Sequence, residues 1–205
     1  MNRSPEVTRR ARELLAQRLS AESYAHCERT AAAALQLAER FGVEPAAAEL
    51  AGLLHDYARD EDPAGLVTMA ETLGVPSVAL EREHPYLLHA RVGAALVRCD
   101  LPEVGEAVLS AISVHTVGGV PMSALDKVIY LADMIEPARD FPGLAELRAA
   151  CACEPLDECF RLAYGRTLRH LKQRGRPVHP ISDAVSARIE QETGRALFDP
   201  PVVAR

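Results

Sequence analysis

Apolar residues recur at helical spacing along almost the whole chain. Val7, Ala11, Leu14 and Leu15 make a first stripe, opened by Ser4-Pro5 as cap and first-turn proline. A second helix is predicted from about Ser23 to Phe41 and is closed by Gly42. Its inner face reads His26, Thr30, Ala33, Ala34, Leu37, Phe41. Pro45 opens a third helix, which carries Leu50, Leu53 and Leu54 up to His55-Asp56. Asp62-Pro63 caps a fourth, ending at Gly74. A fifth is predicted from near Pro85 to Cys99, with His89, Val92, Gly93 and Leu96 on one face. A sixth begins at Pro102, where Val104, Ala107, Val108, Ala111, Ile112 and His115 share a face and His115 ends it. Ser123 and Asp126 have the spacing of a capping box. The helix behind them turns Leu125, Val128, Ile129, Ala132 and Asp133 inward, and Pro137 stops it. One long helix is predicted around Phe160 to Leu171, and a last amphipathic piece around Asp183 to Thr193. No segment alternates convincingly at strand period, and there is no repeat, low-complexity run or long linker.

The expected fold is therefore all-α, a helical bundle. A chain of 205 residues suits one domain over 1–205. Aromatics are only 4% and alanine is abundant, which favours helix over strand. The net charge of -6 and the pI near 5.7 offer no basic field for nucleic acid. No apolar run approaches 18 residues, so no membrane span is expected, and the charged N-terminus lacks the apolar core of a secretory signal. Five cysteines at uneven spacing suit reduced thiols, hence a cytoplasmic location.

The chemistry is organised around Ala51-Gly52-Leu53-Leu54-His55-Asp56-Tyr57-Ala58-Arg59-Asp60. Neighbours on a helix point about 100° apart, so an adjacent His-Asp pair closes on a metal ion from two sides only at a helix end. Alone the dipeptide says little. His26 precedes it, and His89, His115 and Asp133 follow, each at or near the end of an apolar stripe. Imidazole and carboxylate are ligands for Fe, Mn, Co, Ni or Zn, and a bundle core holds them rigidly. A lone histidine on an apolar stripe is ordinarily a hydrogen-bonded core residue. Asp133 is different, since a carboxylate within Leu-Ala-Asp-Met-Ile is costly to bury without a compensating cation. Four histidines and two aspartates in this order point to a metal site. Other groups read as structural: His84 before a proline, His170 at a helix end, Cys27 in the core, and Cys151, Cys153 and Cys159, which lack a fourth zinc ligand. The run Ala31 to Ala34 reads as close helix packing.

The order His26, His55-Asp56, Asp133 resembles the signature of the HD superfamily of metal-dependent phosphohydrolases. The segments LLHDYARD, LLHARVGAALV, AISVHTVGG, MSALDKVIYLADMIEPARDFPGL and GRPVHP further resemble the YqeK-like family of symmetrical bis(5′-nucleosyl)-tetraphosphatases. The likeness runs from about 20 to 188, and ADMIEPARDFPG is its most specific piece. Val117 and Ile181-Ser182 depart from the family pattern, away from any metal ligand. The resemblance implies an HD-type helical fold and one or two divalent ions, most simply iron, with Mn, Co or Ni as alternatives. It carries metal ligation onto His26, His55, Asp56 and Asp133. It gives His89 and His115 either a second ion or the substrate phosphate, with Asp56, His89 and His115 as the catalytic group.

The implied reaction is attack of metal-activated water on diadenosine tetraphosphate with ADP as leaving group. Arg59 and Arg139 are the expected phosphate clamps, with Arg176 and His179 on the distal nucleotide. Two other functions keep the same ligands. One is hydrolysis of another nucleotide, such as a nucleoside monophosphate or a guanosine alarmone, and the other is a non-catalytic metal or nucleotide sensor. The expected partner is a small nucleotide, with no nucleic acid and no membrane, and the oligomeric state is open between monomer and homodimer.

Overall fold

The computed structural model describes residues 4–199. Among these the fold is helical throughout, without strands: α1 Ser4–Arg18, α2 Ala21–Phe41, α3 Pro45–Leu54, α4 Pro63–Thr72, α5 Ala79–Glu83, α6 His89–Asp100, α7 Glu106–Val114, α8 Ala124–Ile135, α9 Leu144–Cys153, α10 Leu156–Gln173 and α11 Ile181–Thr193. The capping role expected of the Ser4 side chain lies outside the described residues. No helix is long and apolar enough to cross a membrane.

The punctuation read from sequence is local chemistry. Ser20 Oγ accepts from the Ser23 amide at 3.2 Å, so α2 starts two residues before the expected Ser23. Gly42 ends it at φ +70°, a conformation that favours glycine. Glu44 caps α3 ahead of Pro45, and Asp62 caps α4 through Gly65 N–H at 2.8 Å. Ser123 and Asp126 form the reciprocal box at 3.2 and 2.7 Å.

Several boundaries differ from expectation. Pro85 opens a 3-10 turn, Pro85–Leu88, and α6 begins at His89. Pro102 lies in a turn closed by Val104 N–H to Leu101 C=O at 2.9 Å, and extended Gly105 delays α7 to Glu106. Val104 is still buried. Two helices escaped the periodicity. α5 has only five residues. α9 buries only Leu144, Leu147, Ala150 and Cys151, too sparse a stripe to read. α10 starts at Leu156, because its polar first turn, Asp157 and Glu158, hides it. α11 starts at Ile181, two residues early.

α8 runs through the middle, with Val128, Ile129, Leu131 and Ala132 at 0% exposure. α2, α3, α7 and α10 pack around it. Small residues let α2 and α3 approach closely, as the Ala31 to Ala34 run suggests. A Cβ on Gly52 would lie 2.9 Å from Ala31 Cα. Cys27, Cys151 and Cys159 are buried free thiols, which fits their reading as packing. This packing brings the ends of α3, α6, α7 and α8 toward the flank of α2.

Candidate metal centre

α3 ends at Leu54, and His55-Asp56 follows at its C-terminus. The helix end frees the two adjacent side chains to converge. His55, Asp56, His89 and His115 are buried, and His26 and Asp133 are partly exposed.

The six groups form two clusters that share Asp56. Asp56 Oδ2 lies 3.4 Å from His55 Nε2 and 3.7 Å from His26 Nε2. Asp56 Oδ1 lies 3.1 Å from His89 Nε2 and 3.4 Å from His115 Nε2. Asp133 Oδ1 joins the first cluster, 2.9 Å from His26 Nε2 and 3.8 Å from His55 Nε2. The groups His26-His55-Asp56 and Asp56-His89-His115 each place three ligand atoms within reach of one ion.

Backbone acceptors set the rings. His55 Nδ1 donates to Gly52 C=O at 2.8 Å, and His115 Nδ1 to Ile112 C=O at 2.7 Å. His89 Nδ1 donates to Tyr86 C=O. A carbonyl oxygen only accepts, so these three rings carry their proton on Nδ1 and, when neutral, a lone pair on Nε2. The Nε2 atoms of His26 and His55 face each other at 3.2 Å, as do those of His89 and His115. Lone pairs this close repel unless a cation or proton lies between them. Asp56 Oδ1 is in addition buried without a hydrogen-bond partner. An orphaned carboxylate oxygen amid unprotonated imidazole nitrogens fits a divalent cation, and outer hydrogen bonds of this kind orient metal-binding histidines.

The electrostatics agree. Burial disfavours ionised Asp56, but His55, His115 and His89 outweigh it and hold the carboxyl well below its ordinary range. Burial likewise works against Asp133, and the His26 hydrogen bond, the neighbouring His55 ring and the Arg139 charge overcome it. His26 is desolvated too, yet Asp133 raises its pKa. Both carboxylates are thus ionised where cation ligands must be.

Arg139 folds back on Asp133, giving Nη2 to Oδ1 and Nε to the backbone carbonyl at 2.9 Å. This is the cation that the Asp133 carboxylate needs. Arg59 is half-exposed, its Nε 4.0 Å from Asp56 Oδ2. Arg176 and His179 do not join the cluster. Arg176 is exposed, and His179 turns Nε2 to Glu81, 3.3 Å away on α5. Two neighbours of the cluster were not singled out in the sequence. Thr116 Oγ1 stands 3.3 Å from His89 Nε2 and 3.2 Å from His115 Nε2, one residue past His115 in the AISVHTVGG segment. Buried Glu136 faces His26 Nδ1 at 3.3 Å, accepts from Arg29 Nε at 2.7 Å and from Ala138 N–H at 2.8 Å. Its signal was the Glu-Pro-x-Arg run, present but without an assigned role.

Comparison with known proteins follows the same lines. The family model described as "HD domain" matches residues 23–138. The symmetrical bis(5′-nucleosyl)-tetraphosphatase of Bacillus subtilis (strain 168) is 36% identical over 164 residues, 80% of this chain and 87% of its own. A protein of the same name from Halalkalibacterium halodurans is 34% identical, covering 83% of this chain and 90% of its own. A crystal structure from Clostridium acetobutylicum, described as a "predicted HD superfamily hydrolase involved in NAD metabolism", superposes with a TM-score of 0.85. It is 28% identical and covers 90% of this chain and 97% of that one.

Proposed function

The chain belongs to the HD-domain family and to its symmetrical bis(5′-nucleosyl)-tetraphosphatases, and on that footing we propose that it hydrolyses diadenosine tetraphosphate to two ADP in a metal-dependent reaction. One observation carries the chemistry: Asp56 turns one oxygen to His26 and His55 and the other to His89 and His115. In this reading His26, His55, Asp56 and Asp133 would hold a first divalent ion. His89 and His115 would hold another together with Asp56, or would face the reacting phosphate. We assign iron to the site, as the family resemblance implies. Manganese, cobalt and nickel suit the same donors. Bound divalent cations polarise a phosphoryl oxygen and acidify water.

The protein's own part is positioning. The Nδ1 bonds to Gly52, Tyr86 and Ile112 keep three rings aimed inward with no reorganisation during the reaction. The two ionised aspartates make the pocket a cation trap. Arg59 beside Asp56 and Arg139 beside Asp133 flank the centre on two sides. A guanidinium has more N–H donors than Asp133 occupies, so Arg139 can hold the carboxylate and a phosphate together. Arg59 is exposed at the other flank, free to meet the polyanion. Symmetry of cleavage means two phosphates on each side of the cut. Water adds to one of the two middle phosphorus atoms. The bond from that atom to the central bridging oxygen breaks, and the oxygen leaves with the second ADP.

The test is chromatography of products after brief incubation of metal-loaded protein with diadenosine tetraphosphate. Two ADP are expected. ATP plus AMP would overturn the symmetric register. Phosphate release from a nucleoside monophosphate instead would favour the general HD nucleotidase, and binding without turnover would favour a sensor. Metal analysis of anaerobically purified protein tests iron.

A further inference from the structure

Asp133 turns to His26, and Met134 follows it about 100° further round α8. It faces a cavity of about 480 Å³ between α8, the segment after Arg139 and α10. The volume is in the range of small-ligand sites. Phe141 forms one wall, with the Arg166 guanidinium 4.9 Å from its ring centre. Thr167 forms the floor, its hydroxyl 3.8 Å from Met134 Sδ and 3.0 Å from the Tyr130 hydroxyl. Arg169, His170 and Gln173 complete the rim.

The lining is selective. The protein has 29 acidic and 23 basic residues, yet this cavity is lined by two guanidiniums and an imidazole and, among the described residues, no carboxylate. The neighbouring cavity, of about 460 Å³ beyond Arg166 and Arg169, includes Glu146 and Asp199. A cationic rim over an apolar, aromatic interior suits a flat heterocycle joined to an anion. Both ends of the wall are tied to the metal centre through the chain. Met134 follows Asp133 directly, and Phe141 lies two residues beyond Arg139.

We propose that this cavity seats one nucleoside of the substrate, with the base against Phe141 and Met134 and its phosphates leading past Arg139 to the centre. The assignment deepens the hydrolase reading and rests on it for the substrate class. Base edges find the Gln173 amide and the His170 ring. Arg169 neutralises phosphate charge at the rim. Aromatic and guanidinium faces are sequence-tolerant seats for a base, so the cavity selects nucleotides over free polyphosphate.

The experiment titrates ADP and inorganic pyrophosphate into the metal-loaded full chain by calorimetry, with KM for diadenosine tetraphosphate measured alongside. Phe141→Ala should weaken ADP by about 10- to 100-fold, the usual cost of losing one stacking partner. Pyrophosphate has no base and should bind as to the wild type. The kinetic loss should enter through KM, and Phe141→Tyr should restore it. Gln173→Ala, at an exposed position, should weaken ADP severalfold and decides the matter if Phe141→Ala does not fold. ADP affinity unchanged in both alanine variants, or no ADP binding by the wild type, overturns the assignment. ADP binding lost in the variants of a protein that hydrolyses no diadenosine tetraphosphate would keep the nucleoside seat and reject the reaction. Turnover with unaltered KM would reject the seat alone.

Discussion

Gly52→Ala should destabilise this protein although alanine is the better helix former. Gly52 lies inside α3, where the exchange gains about 1 kcal/mol of intrinsic helix propensity. The new methyl, however, would sit 2.9 Å from Ala31 Cα, 3.1 Å from Ala31 N and 3.1 Å from Ala34 Cβ. Two of these are backbone atoms of α2, so no side chain can swing away. Overpacking of a filled core costs about 1–3 kcal/mol, and rigid neighbours place this case toward the upper end. The net loss is about 1–2 kcal/mol, or a fall in Tm of roughly 2–8 °C for a domain of this size. The strain also reaches the metal centre. Gly52 C=O holds His55 Nδ1 at 2.8 Å, and the two helices pushed apart carry His26 and His55. A shift of a few tenths of an ångström should weaken metal retention by about tenfold, as for loss of an orienting partner. Thermal melts of metal-free protein measure the first effect, and metal content after dialysis against a graded chelator measures the second. A variant as stable as the wild type with equal retention would refute both steps.

Asp56→Asn keeps the shape of the shared ligand and removes its charge, so both clusters should lose metal. Full occupancy by mass spectrometry would sink the two-cluster reading. His115→Ala should lower turnover by about 10²-fold or more, on the scale of one transition-state contact, while an ion at His26, His55 and Asp133 is retained. Unchanged turnover would return His115 to the role of a core histidine. Arg139→Ala should slow symmetric cleavage by about 10- to 10³-fold, measured as ADP formed from diadenosine tetraphosphate. Arg161 is fully buried, paired twice with Glu158 at 2.7 Å and bonded to the carbonyls of Ala196, Leu197 and Asp199. Arg161→Met strands Glu158 in part and should cost about 3 kcal/mol in urea unfolding, with metal content unaffected.

Much of the fold was legible because its helices carry dense apolar stripes with ordinary caps. Ser123 with Asp126 marked α8 to the residue, and Gly42 marked the end of α2. What failed was short or sparse. α9 buries only four residues over three turns, and α5 has too few residues for any period to register. By sequence, helices begin near Pro85 and at Pro102, since proline suits a helix start. Only the tertiary setting decides that one opens a 3-10 turn and the other a reverse turn.

The ligand set was legible for a different reason. Histidines and aspartates are costly at the ends of apolar stripes, so six of them in order demand a common partner. The pairing within the set was not legible. Sequence spacing cannot say which carboxylate oxygen turns to which imidazole. It also cannot say that three of the rings are oriented by backbone carbonyls, since a carbonyl belongs to every residue and leaves no mark in the sequence. The same holds for Arg139. Read along the chain it is a phosphate clamp, and in the fold it is also a counter-charge to Asp133, beside the His26 hydrogen bond. The two roles are compatible because a guanidinium offers donors on more than one edge. They separate under mutation: losing the clamp slows turnover at full metal occupancy, whereas losing the counter-charge of Asp133 changes how tightly the first ion is held. Measuring metal retention and turnover together in Arg139→Ala and Arg139→Lys therefore apportions the residue between them. Lysine restores charge beside Asp133 and not the planar fork on phosphate. Retention recovered without turnover would place the catalytic contribution in the fork, and recovery of both would reduce Arg139 to a counter-charge.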